Sequence, residues 1–341
     1  MYTDEDLNLA VKKGIFSTGS VEEFRHLIES SNHSPSVDEE NFRLVGGFND
    51  IFIVIACALL LFSSLWVLNS FDSSVGYFVF SALSWGLAEI FVLKRKMALP
   101  AIMLLLAFIG GIFMLSESIF GVENYSYNAD VGYSVIASTA LSALAAYCHW
   151  RRFNVPITVA VGTSVGLAFL VAIVQSIFPY NTDILLVALF LCGCIAFTCA
   201  MYWDSSDITR TTRKSDIAFW LHLLSAPLII HPIFWGLGVL DGDESVGSML
   251  LIVILYVLMT SISIAIDRRA FMVSSLIYVI YALSSLIENY GGVGYSFALT
   301  GVVMGASLLL LSIYWQTVRV HFVGLLPMRI QGYVPSVLSE K

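Results

Sequence analysis

Ionisable side chains are sparse along most of this chain, so the few that fall inside apolar runs define the chemistry it could perform. Glu89, in Ser84-Trp85-Gly86-Leu87-Ala88-Glu89, is the most clearly embedded acid. A carboxylate in such a run can exchange a proton, hold a cation or pair with an arginine from a neighbouring helix. Glu89 stands five residues before Lys94, about 7–8 Å along a helix. At that depth pairing or snorkelling to the polar edge is the structural account, and proton coupling or a substrate role the functional one. His222 and His231 lie in Trp220-Leu221-His222-Leu223-Leu224-Ser225-Ala226-Pro227-Leu228-Ile229-Ile230-His231-Pro232 and could shuttle protons. Nine positions apart, they fall on opposite sides of a straight helix. Pro227 and Pro232 each delete a backbone donor, freeing the carbonyls of Leu223 and Leu228. Interrupted membrane helices of this kind frame binding sites in many transporters, and they also occur as kinked packing helices. Asp50, behind Gly46-Gly47-Phe48-Asn49, falls in a first helical turn, where it suits the helix dipole or could bind a proton or cation.

Other patterns give less. Gly162-Thr163-Ser164-Val165-Gly166 matches the G-x-S-x-G nucleophile pattern, which needs a strand–turn–helix elbow, yet it lies inside an apolar run. Gly162 and Gly166 also form G-x-x-x-G, as do Gly301 and Gly305, and close helix packing is the better reading. Cys192-Gly193-Cys194 sets its sulfurs about 200° apart on a helix, a poor metal site. Asp241-Gly242-Asp243-Glu244 lacks calcium-loop spacing and reads as a solvated turn. There is no H-E-x-x-H, Walker A or G-x-G-x-x-G. No catalytic residue, metal or cofactor is therefore assigned.

The elements that must position these residues are membrane spans. The chain of 341 residues is 58% hydrophobic and only 12% charged, where a soluble domain carries about 25% charge. From Phe48 onward apolar stretches follow one another, each long enough to cross a ~30 Å hydrocarbon core. They predict helices near 48–69, 75–93, 97–116, 131–149, 155–178, 184–203, 216–239, 246–266, 270–287 and 294–315. The expected fold is all-α, a polytopic transmembrane bundle of about ten spans. The cysteines, all in or beside spans, read as buried hydrophobes and not as disulfides. The net charge of −8 belongs to solvated segments and indicates no nucleic-acid surface.

Loop charge sets the expected orientation. Lys94-Arg95-Lys96, Arg151-Arg152, Arg210 with Arg213-Lys214, and Arg268-Arg269 stand in alternate connections, while the intervening ones carry Asp72, Glu117, Asp183, Asp241 and Glu288. All 17 basic residues fall on one side of a ten-span arrangement, which predicts both termini in the cytoplasm, N-in and C-in. Arg95-Lys96-Met97-Ala98-Leu99-Pro100 parallels Arg151-Arg152-Phe153-Asn154-Val155-Pro156. Convergent helix-start chemistry and a duplicated hairpin both account for it.

Residues 1–47 predict a cytoplasmic helical hairpin and linker, 48–318 the bundle and 319–341 a short cytoplasmic tail. The acidic N-terminus lacks a cleavable signal pattern. Gly14 is expected to stop the first short helix, and Ser20 with Glu23 to cap the second. The hairpin from Asp6 to Ser30, the Gly46-Gly47-Phe48-Asn49-Asp50 start and the Phe219–Pro227 run resemble bacterial multi-pass inner-membrane proteins of unknown function with a short N-terminal hairpin. The resemblance implies no activity and no site residues. The expected partners are the lipid bilayer, a small solute or ion, and a protein docking on the hairpin. Small-solute or ion-coupled transport across the cytoplasmic membrane leads, followed by a non-catalytic scaffold or sensor and by an intramembrane enzyme. A carrier calls for a polar cavity lined by Glu89 or the histidines.

Overall fold

In a bilayer every backbone polar group must be satisfied within the chain, which leaves the helix as the economical form for apolar runs of this length. The computed structural model describes residues 11–17, 19–21, 23, 48–121, 131–207, 212–237, 246–291, 295–331 and 334, and among them contains no strand. The ten expected spans are the helices α1 (Phe48–Asn69), α2 (Ser73–Ala88), α3 (Ala98–Phe120), α4 (Val131–Phe153), α5 (Pro156–Ile177), α6 (Thr182–Ser205), α7 (Arg213–Gly236), α8 (Val246–Ile266), α9 (Ala270–Gly291) and α10 (Ser296–Ile313). Among the described residues nine helices are long and apolar enough to cross a membrane. The other, α4, is 23 residues long, but Ser134, Ser138, Thr139, Ser142 and His149 dilute its apolar surface.

Neighbouring helices pack antiparallel, as their paired residues show. Gly111 of α3 lies against Ser81 and Phe80 of α2, while Ser118 and Ser74 meet further along the pair. Gly132 meets Ser176 and Gly162 meets Ala146 across α4 and α5. α7 is the most buried of these helices and α1 the least, so α7 is the central helix and α1 a peripheral one. The prolines do not break α7, which runs unbroken from Arg213 to Gly236. Gly193 of α6 closes onto it: a Cβ there would lie 2.8 Å from the Leu228 carbonyl carbon.

The irregular turn lies elsewhere. Residues Glu89–Lys94 continue α2 as a π-helical turn, with the Arg95 N–H donating to the Ile90 carbonyl at 3.0 Å. Lys96 (φ 54°) and Asn154 (φ 52°) then turn the chain in the left-handed region. Each is followed by an extended residue, Met97 or Val155, that starts the next helix. The resemblance of these turns is thus real but shifted from the sequence match: Lys96 corresponds to Asn154, not Arg152, and Pro156 opens its helix whereas Pro100 is third. Asp267 (φ 56°) repeats the left-handed step between α8 and α9.

A further helix, α11 (Trp315–Leu325), runs across the expected bundle limit at residue 318 and buries Trp315, Arg319 and Val323 at a spacing of four. Residues Met1–Arg43 form a separate compact unit. In it Gly14 has φ 71°. Ser17 rather than Ser20 supplies the cap, its Oγ accepting from the Ser20 N–H at 3.0 Å. The rest of the hairpin, Gly46-Gly47 and Asp241–Glu244 lie outside the described residues.

Candidate functional site

Many buried hydroxyls are satisfied by their own helix: Ser84 donates to the Phe80 carbonyl at 2.8 Å, Ser275 to Phe271 at 2.7 Å and Thr300 to Ser296 at 2.9 Å. Such back-bonding hides a polar group and marks no site. Polar contacts between different helices also occur, and among the described residues the ion pairs gather at the end of the bundle that carries the basic clusters, while Ser118–Ser74, Ser134–Glu117 and Ser296–Glu288 lie at the other.

The most enclosed set joins α6, α7 and the α8–α9 turn. The Arg268 guanidinium, 2% exposed, donates through Nη2 to Asp204 Oδ1 at 3.0 Å, to the Ser215 carbonyl at 3.2 Å and to Ser215 Oγ at 3.1 Å. Nε2 of His222, itself 0% exposed, lies 3.5 Å from Asp204 Oδ2. Aromatic rings seal the set: Phe219 lies 5.9 Å from the Arg268 guanidinium, and Phe197 meets His222 edge-on at 5.6 Å. Asp207, just after α6, accepts from the N–H of Thr212, just before α7, at 2.9 Å and from its hydroxyl at 2.6 Å. The adjoining Asp267 accepts from the Trp315 indole at 2.7 Å and faces Arg319 at 3.7 Å, which ties α11 to the same end.

A second set joins α2 and α4. Arg152 grips Glu89 with two hydrogen bonds of 2.7 Å each, in a half-exposed position. The π-helical turn begins at Glu89, so the acid stands where the helix pitch changes. One turn further in, His149 is fully buried among Trp85, Phe108 and Phe153, with Nδ1 3.3 Å from the Thr158 hydroxyl. Each set thus combines an acid, a histidine and an arginine, a combination able to hold or pass a proton but offering no arrangement for a metal. Among the described residues no three histidine, cysteine or acidic groups converge as metal ligands.

The four residues singled out in the sequence occupy separate places. Glu89 and His222 belong to the two different sets. His231 lies on the exposed side of α7 and bonds the Tyr278 hydroxyl of α9. Asp50 is buried in the first turn of α1. Of the four glycines assigned to packing, Gly162 approaches Ala146, at 3.4 Å from a Cβ built on it. Gly166, Gly301 and Gly305 face open space, since a Cβ on any of them would meet nothing within 4 Å. Two surface grooves are lined by residues around Trp315 and around Pro232, and none of Glu89, His222, His231 or Asp50 lines either.

Sequence reasoning missed Asp204, Ser215, Arg268, Asp267 and His149. Asp267-Arg268-Arg269 looked like an ordinary topogenic cluster, and Asp204 sat one residue past a predicted span. The available signal was an acid at each of two span ends, Asp204 and Asp267, beside basic loops that needed no acid for topology. Comparison with family models, curated proteins and solved structures gave no match for the chain.

Proposed function

We propose that this integral membrane protein resides in the cytoplasmic membrane with both termini inside, and that it is an ion-coupled carrier of small solutes using the proton as coupling ion. The observation that carries the reading is the enclosure of Asp204, Arg268 and His222 in one set. A buried ion pair contributes little to stability compared with well-packed apolar residues, and an ionisable group within a membrane bundle is by default a functional candidate. With His222 neutral the three groups sum to zero charge, and one proton more or less leaves the set charged. Asp207, Asp216, Asp267 and Arg213 are the other charged groups nearby. The orientation rests on the positive-inside distribution.

A non-catalytic scaffold or sensor is the second reading, favoured by the absence of any site candidate from the lining of the two grooves. A thermal-shift screen of detergent-purified protein against ions, amino acids, sugars and nucleotides, run at pH 6 and pH 8, separates the two. A ligand at 100 times its Kd should stabilise the protein by about 2.7 kcal/mol. The carrier reading expects a hit whose affinity changes with pH and is lost in His222→Gln and Asp204→Asn. A silent screen on folded protein would leave the scaffold.

A further inference from the structure

The groove between α9, α10 and α11 has features that suit one kind of molecule. It measures about 170 Å³ and is lined by Arg269, Met272, Val273 and Leu276 on one side and by Leu308, Leu311, Ser312 and Trp315 on the other. Along α9 these residues step down one face from the basic end, and Trp315, Leu311 and Leu308 descend beside them on α11 and α10. Seven residues of helix separate Arg269 from Leu276, so the apolar trough extends about 10 Å into the hydrocarbon. Its floor is Met272 and Trp315, both buried, and its rim is Val273, exposed.

A single cation stands at the mouth. Arg269 is exposed and has no ion pair among the described residues, unlike its neighbour Arg268, which Asp204 neutralises. Its guanidinium is held 5.1 Å from the centre of the Trp315 ring. That ring cannot swing away, because its indole N–H is bonded to Asp267. The second groove, around Phe190 and Pro232, is more apolar still but carries Asp183, an acid that would repel an anionic head.

We infer that this groove is a binding site for an anionic phospholipid, with the headgroup phosphate on Arg269 and one acyl chain along Met272, Leu276, Leu308 and Leu311. The trough suits an acyl chain, and charge complementarity with its position at the basic end favours an anionic headgroup over an uncharged or zwitterionic one. The inference needs only that the chain is embedded in a membrane, and it stands or falls apart from the carrier reading.

Native mass spectrometry of the purified protein with phosphatidylglycerol or phosphatidylcholine of matched chains tests it. Phosphatidylglycerol adducts should dominate, and Arg269→Gln should lower their occupancy about fivefold, the effect of one basic residue at a membrane surface. Leu308→Trp, which fills the trough and keeps the charge, should lower it as well, with Val273→Trp as the substitute if that variant does not fold. Arg151→Gln, an exposed arginine at the same end, should change nothing. Equal binding of phosphatidylcholine, full retention in Arg269→Gln, retention in the trough-filling variant, or an equal loss in Arg151→Gln would each overturn the site.

Discussion

Replacing Arg268 by methionine removes three hydrogen bonds at once and leaves the Asp204 carboxylate, 2% exposed, without its cation. Breaking one partner of a buried ion pair costs about 3–5 kcal/mol, because the remaining charge stays out of water. At about 2.1 cal/mol/K of unfolding entropy per residue, a chain of 341 residues shifts by about 1.4 °C per kcal/mol, so Arg268→Met should lower the apparent midpoint by roughly 4–7 °C. Asp204→Asn should do nearly the same. The double variant removes both charges, so its loss should fall well short of the sum, with a coupling of about 1–3 kcal/mol. Melting in detergent followed by size-exclusion fluorescence at a fixed heating rate supplies the four midpoints of the cycle. If Arg268→Met melts within 1–2 °C of the parent, or if the two losses simply add, the set is not the closed electrostatic unit that its distances describe.

Three further outcomes follow from geometry. Glu89→Gln and Arg152→Gln, which break a half-exposed pair, should leave the melting midpoint close to that of the parent, and a loss as large as that of Arg268→Met would show that this pair is more enclosed than its exposure indicates. Gly193→Ala should destabilise by about 1–3 kcal/mol through overpacking against Leu228 and Ile229, whereas Gly166→Ala, facing open space, should stabilise α5 by about 0.5–1 kcal/mol; the reverse order of midpoints would contradict the α6–α7 contact. Lys96→Gly should raise stability by about 1 kcal/mol by relieving its left-handed backbone, and a fall in midpoint would place the side chain in a role beyond the turn.

The spans were legible because each is long, apolar and flanked by charge. The geometry between them was not. No glycine or proline announces the π-helical turn at Glu89–Lys94, since both neighbouring pitches accept the same residues. The prolines of α7 misled in the opposite direction: they suggest a broken helix, yet tight packing of Gly193 against Leu228 and Ile229 accompanies a continuous one. Arg268 and Arg269 are adjacent and alike in sequence, but the turn at Asp267 sends one inward to Asp204 and the other outward over Trp315. Only the backbone direction of that turn decides which is buried. The spacing of Trp315, Arg319 and Val323 did carry a readable helical stripe, hidden because a hydropathy reading stops where polar residues return.

The left-handed turns at Lys96, Asn154 and Asp267 bear on motion. Each joins two long helices through two or three residues at the same end of the bundle, where Glu89–Arg152 and Asp204–Arg268 also cross between helices. Within these three hairpins that end is the hinge and the opposite end the free one, although α1–α2 and α5–α6 are joined at the opposite end by short turns of their own, residues 70–72 and 178–181, the latter with Tyr180 at φ 62°. A helix of 23 residues is about 34 Å long, so tilting it by about 10° about its turn carries the far tip some 6 Å while the hinge barely shifts. Breathing of these three hairpins is therefore asymmetric. Any gap that opens within these hairpins opens first, and widest, on the acidic side.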